Sequence, residues 1–312
     1  MKRTILGAAI AALMAGGAHA ETIGVTMQSF DDNFQTLLRN GVSKRAGELE
    51  NVSVQVEDSQ RDVSRQLSQV NNFIASGVGA IIVTLADTAA APAISQAAEK
   101  AGIPLVYLNL EPENVKSLPD DQAYVGSLES DAGKLGATEA CRLLKGKTPE
   151  ANAYIMMGDL AHTAAVQRTQ AVKDVLATPE CSFIKIRDEQ QAGWLRTNAL
   201  DLMTNWLTAG DSFDVVFANN DEMAIGAAQA MKAAAVDMDK VLVIGVDATQ
   251  DGLAAMKAGD LDVTVFQNAA AQAAGAVDAA MALAKKEPIG QTVYVPFELV
   301  TPDNMDKYAL QN

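Results

Sequence analysis

Short apolar runs and longer stretches of helical spacing alternate along the whole chain. Val215, Val216, Phe217 and Ala218 form a run without a polar residue, the pattern of a strand covered on both faces. Asn219, Asn220, Asp221 and Glu222 follow with no spacer, and Met223, Ala227, Ala230 and Met231 then recur at helical spacing. The pattern predicts a helix capped by Asp221, with Glu222 in its first turn. In an open parallel sheet, ligands sit beyond the carboxyl ends of the strands, so Asn219 and Asn220 stand where a small polar molecule would be held. A plain capped turn fits the segment equally well.

The same alternation recurs from end to end. Strands are predicted at residues 22–27, 52–56, 80–85, 105–108, 123–125, 153–157, 183–186, 215–218, 241–246 and 261–266. Helical stripes fill the intervals, for example Phe34, Leu37, Leu38 and Val42, or Leu67, Val70, Phe73 and Ile74 up to Gly77. A further helix is predicted at residues 131–144. Such alternation implies α/β architecture with parallel sheets and right-handed crossovers. The Pro- and Asp-containing stretch at 112–121 is the main composition break and places a lobe boundary near Gly126.

Composition changes the picture at the start of the chain. Lys2 and Arg3, an apolar run over residues 4–14 and Ala18-His19-Ala20 have the three parts of a secretory signal, with cleavage expected after Ala20. An exported, periplasmic protein is the expectation. The remaining 292 of the 312 residues exceed what one core usually serves and predict two lobes. The formal net charge of −15, lower still without Lys2 and Arg3, opposes binding to nucleic acid phosphates. Cys141 and Cys181 are the only cysteines, and export permits a disulfide between them; two small buried thiols are the alternative.

Catalytic chemistry is scarce. Beyond the leader His162 is the only histidine, so a triad or histidine metal site would rest on one side chain, and a lone loop histidine is ordinarily a surface residue. No G-x-S-x-G, G-x-x-x-x-G-K-[ST] or strand-following G-x-G-x-x-G occurs. The reading is therefore of no enzyme and no cofactor or metal. Amides and carboxylates do gather at the predicted strand ends: Gln28, Asp31, Asp32 and Gln35, then Asn109, Asn219, Asn220, Asp247 and Gln267. These groups both donate and accept, which suits vicinal hydroxyls. Arg168 adds a fork of donors and Trp194 a flat apolar face. Taken singly, each has a plainer account: Asp31, Asp32 and Asp247 as helix caps, Trp194 as core, Arg168 as a solvated helix residue.

Taken in order, these sites resemble a known family. D-D-N-F at 31–34, E-D-S-Q at 57–60, Q-L-x-Q-V-x-x-F-I-x-x-G at 66–77, A-N-N-D-E-M-A-I-G-A at 218–227, G-V-D-A-T-Q-D-G at 245–252 and Gln267 are similar to the periplasmic sugar-binding proteins of ABC importers, the ribose and galactose type. D-D-N-F-Q-T-L-L-R-N-G looks most like the inositol and rhizopine members. The resemblance implies the two-lobed type I periplasmic-binding-protein fold, with lobes of residues 21–126 plus 268–298 and 127–267 plus 299–312. It also implies that Phe34 and Trp194 sandwich a ligand ring while Asp32, Asn109, Arg168, Asn220, Asp247 and Gln267 bind its hydroxyls, with Gln28, Asp31 and Gln35 beside them. Cys141 and Cys181 would share a lobe. A monomer closing on a cyclitol or sugar and delivering it to a membrane permease is the implied function. Where the ribose type has Asp-Arg, this chain has Asn109-Leu110, which removes a bidentate cation and argues against ribose. A sugar-sensing regulator shares such a core, but no basic helix-turn-helix precedes Glu21. A secreted carboxylate enzyme is the third class.

Overall fold

A computed structural model describes residues 21–210 and 212–312; the expected leader, residues 1–20, lies outside them. The first part of the chain runs β1 (Glu21–Met27), α1 (Asn33–Gly47), β2 (Val52–Asp58), α2 (Val63–Ser76), β3 (Ala80–Val83), α3 (Ala91–Ala101), β4 (Leu105–Asn109) and β5 (Gln122–Gly126). The second part runs α4 (Glu129–Leu144), β6 (Ala151–Met157), α5 (Thr163–Leu176), β7 (Ile184–Gln191), α6 (Arg196–Ala209), β8 (Val215–Ala218), α7 (Asp221–Ala233), β9 (Leu242–Ile244), α8 (Gln250–Lys257) and β10 (Thr264–Phe266). The chain then returns through α9 (Ala269–Ala284) and β11 (Thr292–Tyr294) and ends after β12 (Glu298–Val300).

Two parallel sheets result. The first has the order β11-β5-β4-β3-β1-β2 with all pairings parallel. The second has the order β7-β6-β8-β9, and single bridges, Ile244 to Val263 and Asp247 to Phe266, carry it toward the antiparallel pair β10 and β12. Helix α9 packs on α1 and on β3, β4 and β5, so the segment after Asn268 belongs to the first sheet. The short strand β12 was not foreseen from the sequence; its three residues carry too little alternation to mark it.

The apolar runs behave as their composition dictates. Every residue of β3 and of β8 is buried, because helices cover both faces of each sheet. Burying a Val, Ile or Phe side chain in this way contributes about 1.5–3 kcal/mol. Helix ends follow local chemistry with two differences from expectation. Helix α7 is capped by Asn220, whose side chain accepts from Met223 N, and Asp221 is its first helical residue. Helix α4 starts at Glu129, two residues before Asp131. The structure joins Cys141 and Cys181 by a disulfide that links α4 to the segment after α5, both in the second lobe.

Candidate functional site

Seven strand ends converge on one cavity between the two sheets. It is lined by Gln28, Asp32, Phe34, Gln35, Asn109 and Leu110 from the first lobe and His162, Ala164, Arg168, Trp194, Asn220, Asp247 and Gln267 from the second. Ten of the eleven sequence-predicted ligand residues are brought together here. The exception is Asp31, which is exposed, its backbone N–H donating to Ser29 Oγ at 3.1 Å. One residue further on, Asp32 both caps α1, accepting from Gln35 N at 3.0 Å, and faces the cavity. Capping and lining are not exclusive roles.

The second-lobe wall is braced from behind. Arg168 is 5% exposed, not the solvated residue its surroundings in the sequence allow. Its Nε donates to Glu129 Oε2 at 2.6 Å, Nη1 to the Asn219 carbonyl at 2.7 Å and Nη2 to Gln267 Oε1 at 3.1 Å. A guanidinium has five N–H groups, so two remain for a molecule in the cavity. Asn219 itself is turned away, its Oδ1 accepting from Gly158 N and Thr169 Oγ1. Trp194 lies across this wall with the Arg168 guanidinium 5.6 Å from its ring centre. Only glycine fits at 158, because a Cβ there would fall inside the indole.

Asp247 follows β9 with its side chain almost wholly buried and its Oδ1 3.9 Å from Arg168 Nη1. It caps no helix; Thr249 does, accepting from Gly252 N at 3.0 Å. Burial raises the Asp247 carboxyl well above the usual range, the neighbouring Arg168 opposes this, and the charges of Asp221, Asp32 and Glu129 add to it. Burial likewise raises Asp32 and Glu129. Behind them Asp221 is pushed up to about 7 by burial, and accepts from Thr264 Oγ1 at 2.6 Å and Thr249 N at 3.0 Å.

The first-lobe wall is a chain of amides. Gln35 Nε2 donates to Asn109 Oδ1 at 3.2 Å, Asn109 Nδ2 to Gln272 Oε1 at 3.1 Å, Gln272 Nε2 to Ser127 Oγ at 2.9 Å, and Ser127 Oγ to the Val295 carbonyl at 2.7 Å. Three buried atoms of the cavity residues have no hydrogen-bond partner in the protein: Gln28 Oε1, Gln35 Oε1 and Gln267 Nε2. Buried polar groups are normally paired, so these atoms call for a partner of another molecule. Backbone strain collects at the same place. Asn109, Trp194 and Asp247 have φ of 71°, 70° and 119°, and such non-glycine conformations cost roughly 1–3 kcal/mol each.

His162 is the principal residue the sequence reading misplaced. It is 1% exposed, lines the cavity, accepts from Trp194 Nε1 at Nδ1 (2.9 Å) and lies with Nε2 3.1 Å from the Ala86 carbonyl. Ala164 also escaped notice, since an apolar residue at a helix end carries no chemical signal. Among the described residues no group of His, Cys, Asp and Glu is placed to hold a metal ion.

Comparison with known proteins agrees with this geometry. Residues 23–288 match the periplasmic binding protein domain family. A Rhizobium meliloti protein named "putative rhizopine-binding protein" is 53% identical over 312 residues, all of both chains. An ABC transporter solute-binding protein of Bacillus halodurans, solved with bound myo-inositol, is 36% identical with a TM-score of 0.88, covering 95% of this chain and 100% of that one. A Caulobacter myo-inositol binding protein, solved with myo-inositol, is 27% identical with a TM-score of 0.82, covering 92% and 95%. With two α/β lobes enclosing one cavity of amides, carboxylates and an indole, the chain belongs to the periplasmic binding proteins, the sugar-binding components of ABC transporters.

Proposed function

We propose that this protein binds a cyclitol, an inositol or a rhizopine-like amino-inositol, and presents it to a membrane permease without altering it. The observation that carries the reading is the lining: buried amide atoms without protein partners, two carboxylates and a single guanidinium surround a space walled by Phe34 and Trp194. A ring bearing a hydroxyl on every carbon offers donors and acceptors all round, and C–H faces to the two aromatic rings. Gln28 Oε1, Gln35 Oε1, Asp32 and Asp247 would accept; Arg168, Asn220 and Gln267 Nε2 would donate. Asn109 would hold Gln35 in place. Where the ribose type has Asp-Arg, Leu110 leaves the cavity richer in carboxylate than in guanidinium, which favours a neutral or amine-bearing ring over an anionic one.

The lobes of this reading are residues 21–126 plus 268–298 and 127–267 plus 299–312. They close on the ligand about the segments near Gly126, Asn268 and Glu298, as a monomer, after export to the periplasm. The relative from Rhizobium meliloti and the two structures with myo-inositol support the choice of cyclitol.

Calorimetric titration with myo-inositol, an amino-inositol, ribose, galactose and allose tests the reading. A cyclitol should bind tightest and be recovered unchanged. Tighter binding of a pentose or hexose would transfer the assignment to that sugar, and a chemically altered cyclitol would make the protein an enzyme.

A further inference from the structure

We propose that His162 is a positioning residue that ties the ring-stacking indole to closure of the two lobes. The proposal rests on the hinged ligand binding described above, and its geometry stands on three groups. Indole Nε1–H can only donate, so the imidazole Nδ1, 2.9 Å away, must accept. A neutral imidazole then carries its proton on Nε2, which donates to the Ala86 carbonyl at 3.1 Å. Trp194 precedes α6 in the second lobe, while Ala86 follows β3 in the first. One ring therefore reads both lobes at once. The neighbouring backbone repeats the crossing, with Thr88 N donating to the Ala161 carbonyl at 3.0 Å.

Only the neutral ring satisfies this arrangement. An imidazolium carries N–H on both nitrogens, so its Nδ1–H would face the indole N–H. Burial already holds the His162 pKa below its ordinary value; Asp159 and Asp32 oppose this and Arg61 adds to it. Arg168 and Asp247 face the same cavity from α5 and from the loop after β9. The sign follows: burial between the lobes favours the neutral ring, and parting the lobes relieves the burial that lowers its pKa from the ordinary value. Its contribution to affinity is whole above that ordinary value and is lost as pH falls below it. Raised carboxylates in the cavity act in the opposite direction, so a histidine variant is needed to separate the two.

The experiment compares ligand affinity of wild type, His162→Gln and His162→Phe at about pH 8 and about pH 5.5, either side of the ordinary histidine value. Glutamine can both accept from the indole and donate to Ala86, and it does not titrate. Wild-type affinity, taken as a ratio to the Gln variant, should fall between the two conditions, by at most about tenfold. At the higher pH the Gln variant should lie within about threefold of wild type, and the Phe variant should be about 10- to 100-fold weaker at both. A Gln variant with the wild-type pH profile, or a Phe variant that binds as wild type, overturns the proposal. A purely structural histidine would change melting without changing the pH profile. Should no cyclitol or sugar bind the wild type, the functional reading fails and two other measurements decide this one. Imidazole ¹⁵N spectra should show the Nε2–H tautomer, and an Nδ1–H tautomer refutes it. Spin labels on the two lobes should be further apart in the Phe variant, and an unchanged distance refutes it equally.

Discussion

The two tryptophans are almost equally hidden, Trp194 at 6% exposure and Trp206 at 5%, and both donate their indole N–H to a nearby acceptor. Their surroundings differ. Trp206 sits inside α6, stacked on Tyr154 with ring centres 4.3 Å apart and planes 9° from parallel. Its ring packs in the hydrophobic core and lines no part of the cavity. Trp194 stands at a left-handed backbone position on the cavity wall, held by His162 and by the space Gly158 leaves. Burial does not separate a core ring from a binding ring; strained backbone and a face turned to a cavity do.

The sharpest way to break this comparison is to truncate both rings. Trp206→Ala should lower the stability of the ligand-free protein by about 3–5 kcal/mol and leave affinity nearly unchanged. Trp194→Ala should do the reverse, abolishing measurable binding with a smaller shift in melting. Ligand-induced fluorescence change should vanish in Trp194→Phe and persist in Trp206→Phe; the opposite pattern would place the ligand elsewhere.

Asp247→Ala extends the test from rings to charge. Losing two charge-assisted acceptors in a closed site should weaken binding at least about 100-fold. Because Thr249 caps the following helix, ligand-free melting should not fall. An unaltered dissociation constant with a lower melting temperature would end the assignment of Asp247 to the ligand.

Gly158→Ala probes the wall without removing any polar side chain. The new methyl would displace the indole, an overpacking worth about 1–3 kcal/mol, and this should appear as lost affinity. A variant that binds normally would show that the position of Trp194 does not matter.

The last test lies one layer deeper, at Asp221. Its native pKa of about 7 exceeds the model-peptide value, so the folded state holds the proton more tightly than the unfolded chain. That contribution is whole below about pH 4 and is lost as pH rises through about 7, with a slope of at most about 1.4 kcal/mol per pH unit. Denaturant titrations across that window should show wild type gaining stability toward acid, and Asp221→Asn should flatten that component. An unchanged slope would mean the carboxyl is ionised in the folded protein.

Much of this was legible in the residues. The runs at Ala80–Val83 and Val215–Ala218 are long enough and apolar enough to leave no choice but strands covered on both sides. The polar residues directly behind such runs had to emerge at the carboxyl edge of a sheet, which is why Asn109, Asn220 and Asp247 could be named in advance. The residue pattern alone could not tell Asp31 from Asp32; only the resemblance gave the hydroxyl contact to Asp32. Adjacent residues in a turn point in different directions, and only the turn geometry decides which of the two faces inward.

The sequence by itself determined the alternation of strand and helix and the polar groups at the strand ends, because both follow from spacing a few residues long. Tertiary structure alone decided what depends on distant chain segments meeting. Glu129 and Arg168 are 39 residues apart, yet their contact turns a helix residue into a fixed buried cation. Gly245 and Gly252 leave the space into which the Asp221 carboxyl fits, a fit that appears only when β9 and α8 pack beside α7. Ala86 and His162 lie 76 positions apart, on opposite lobes, and no local pattern marks either of them. A lone histidine in a loop becomes a buried bridge only because two sheets bring a carbonyl and an indole to its two nitrogens.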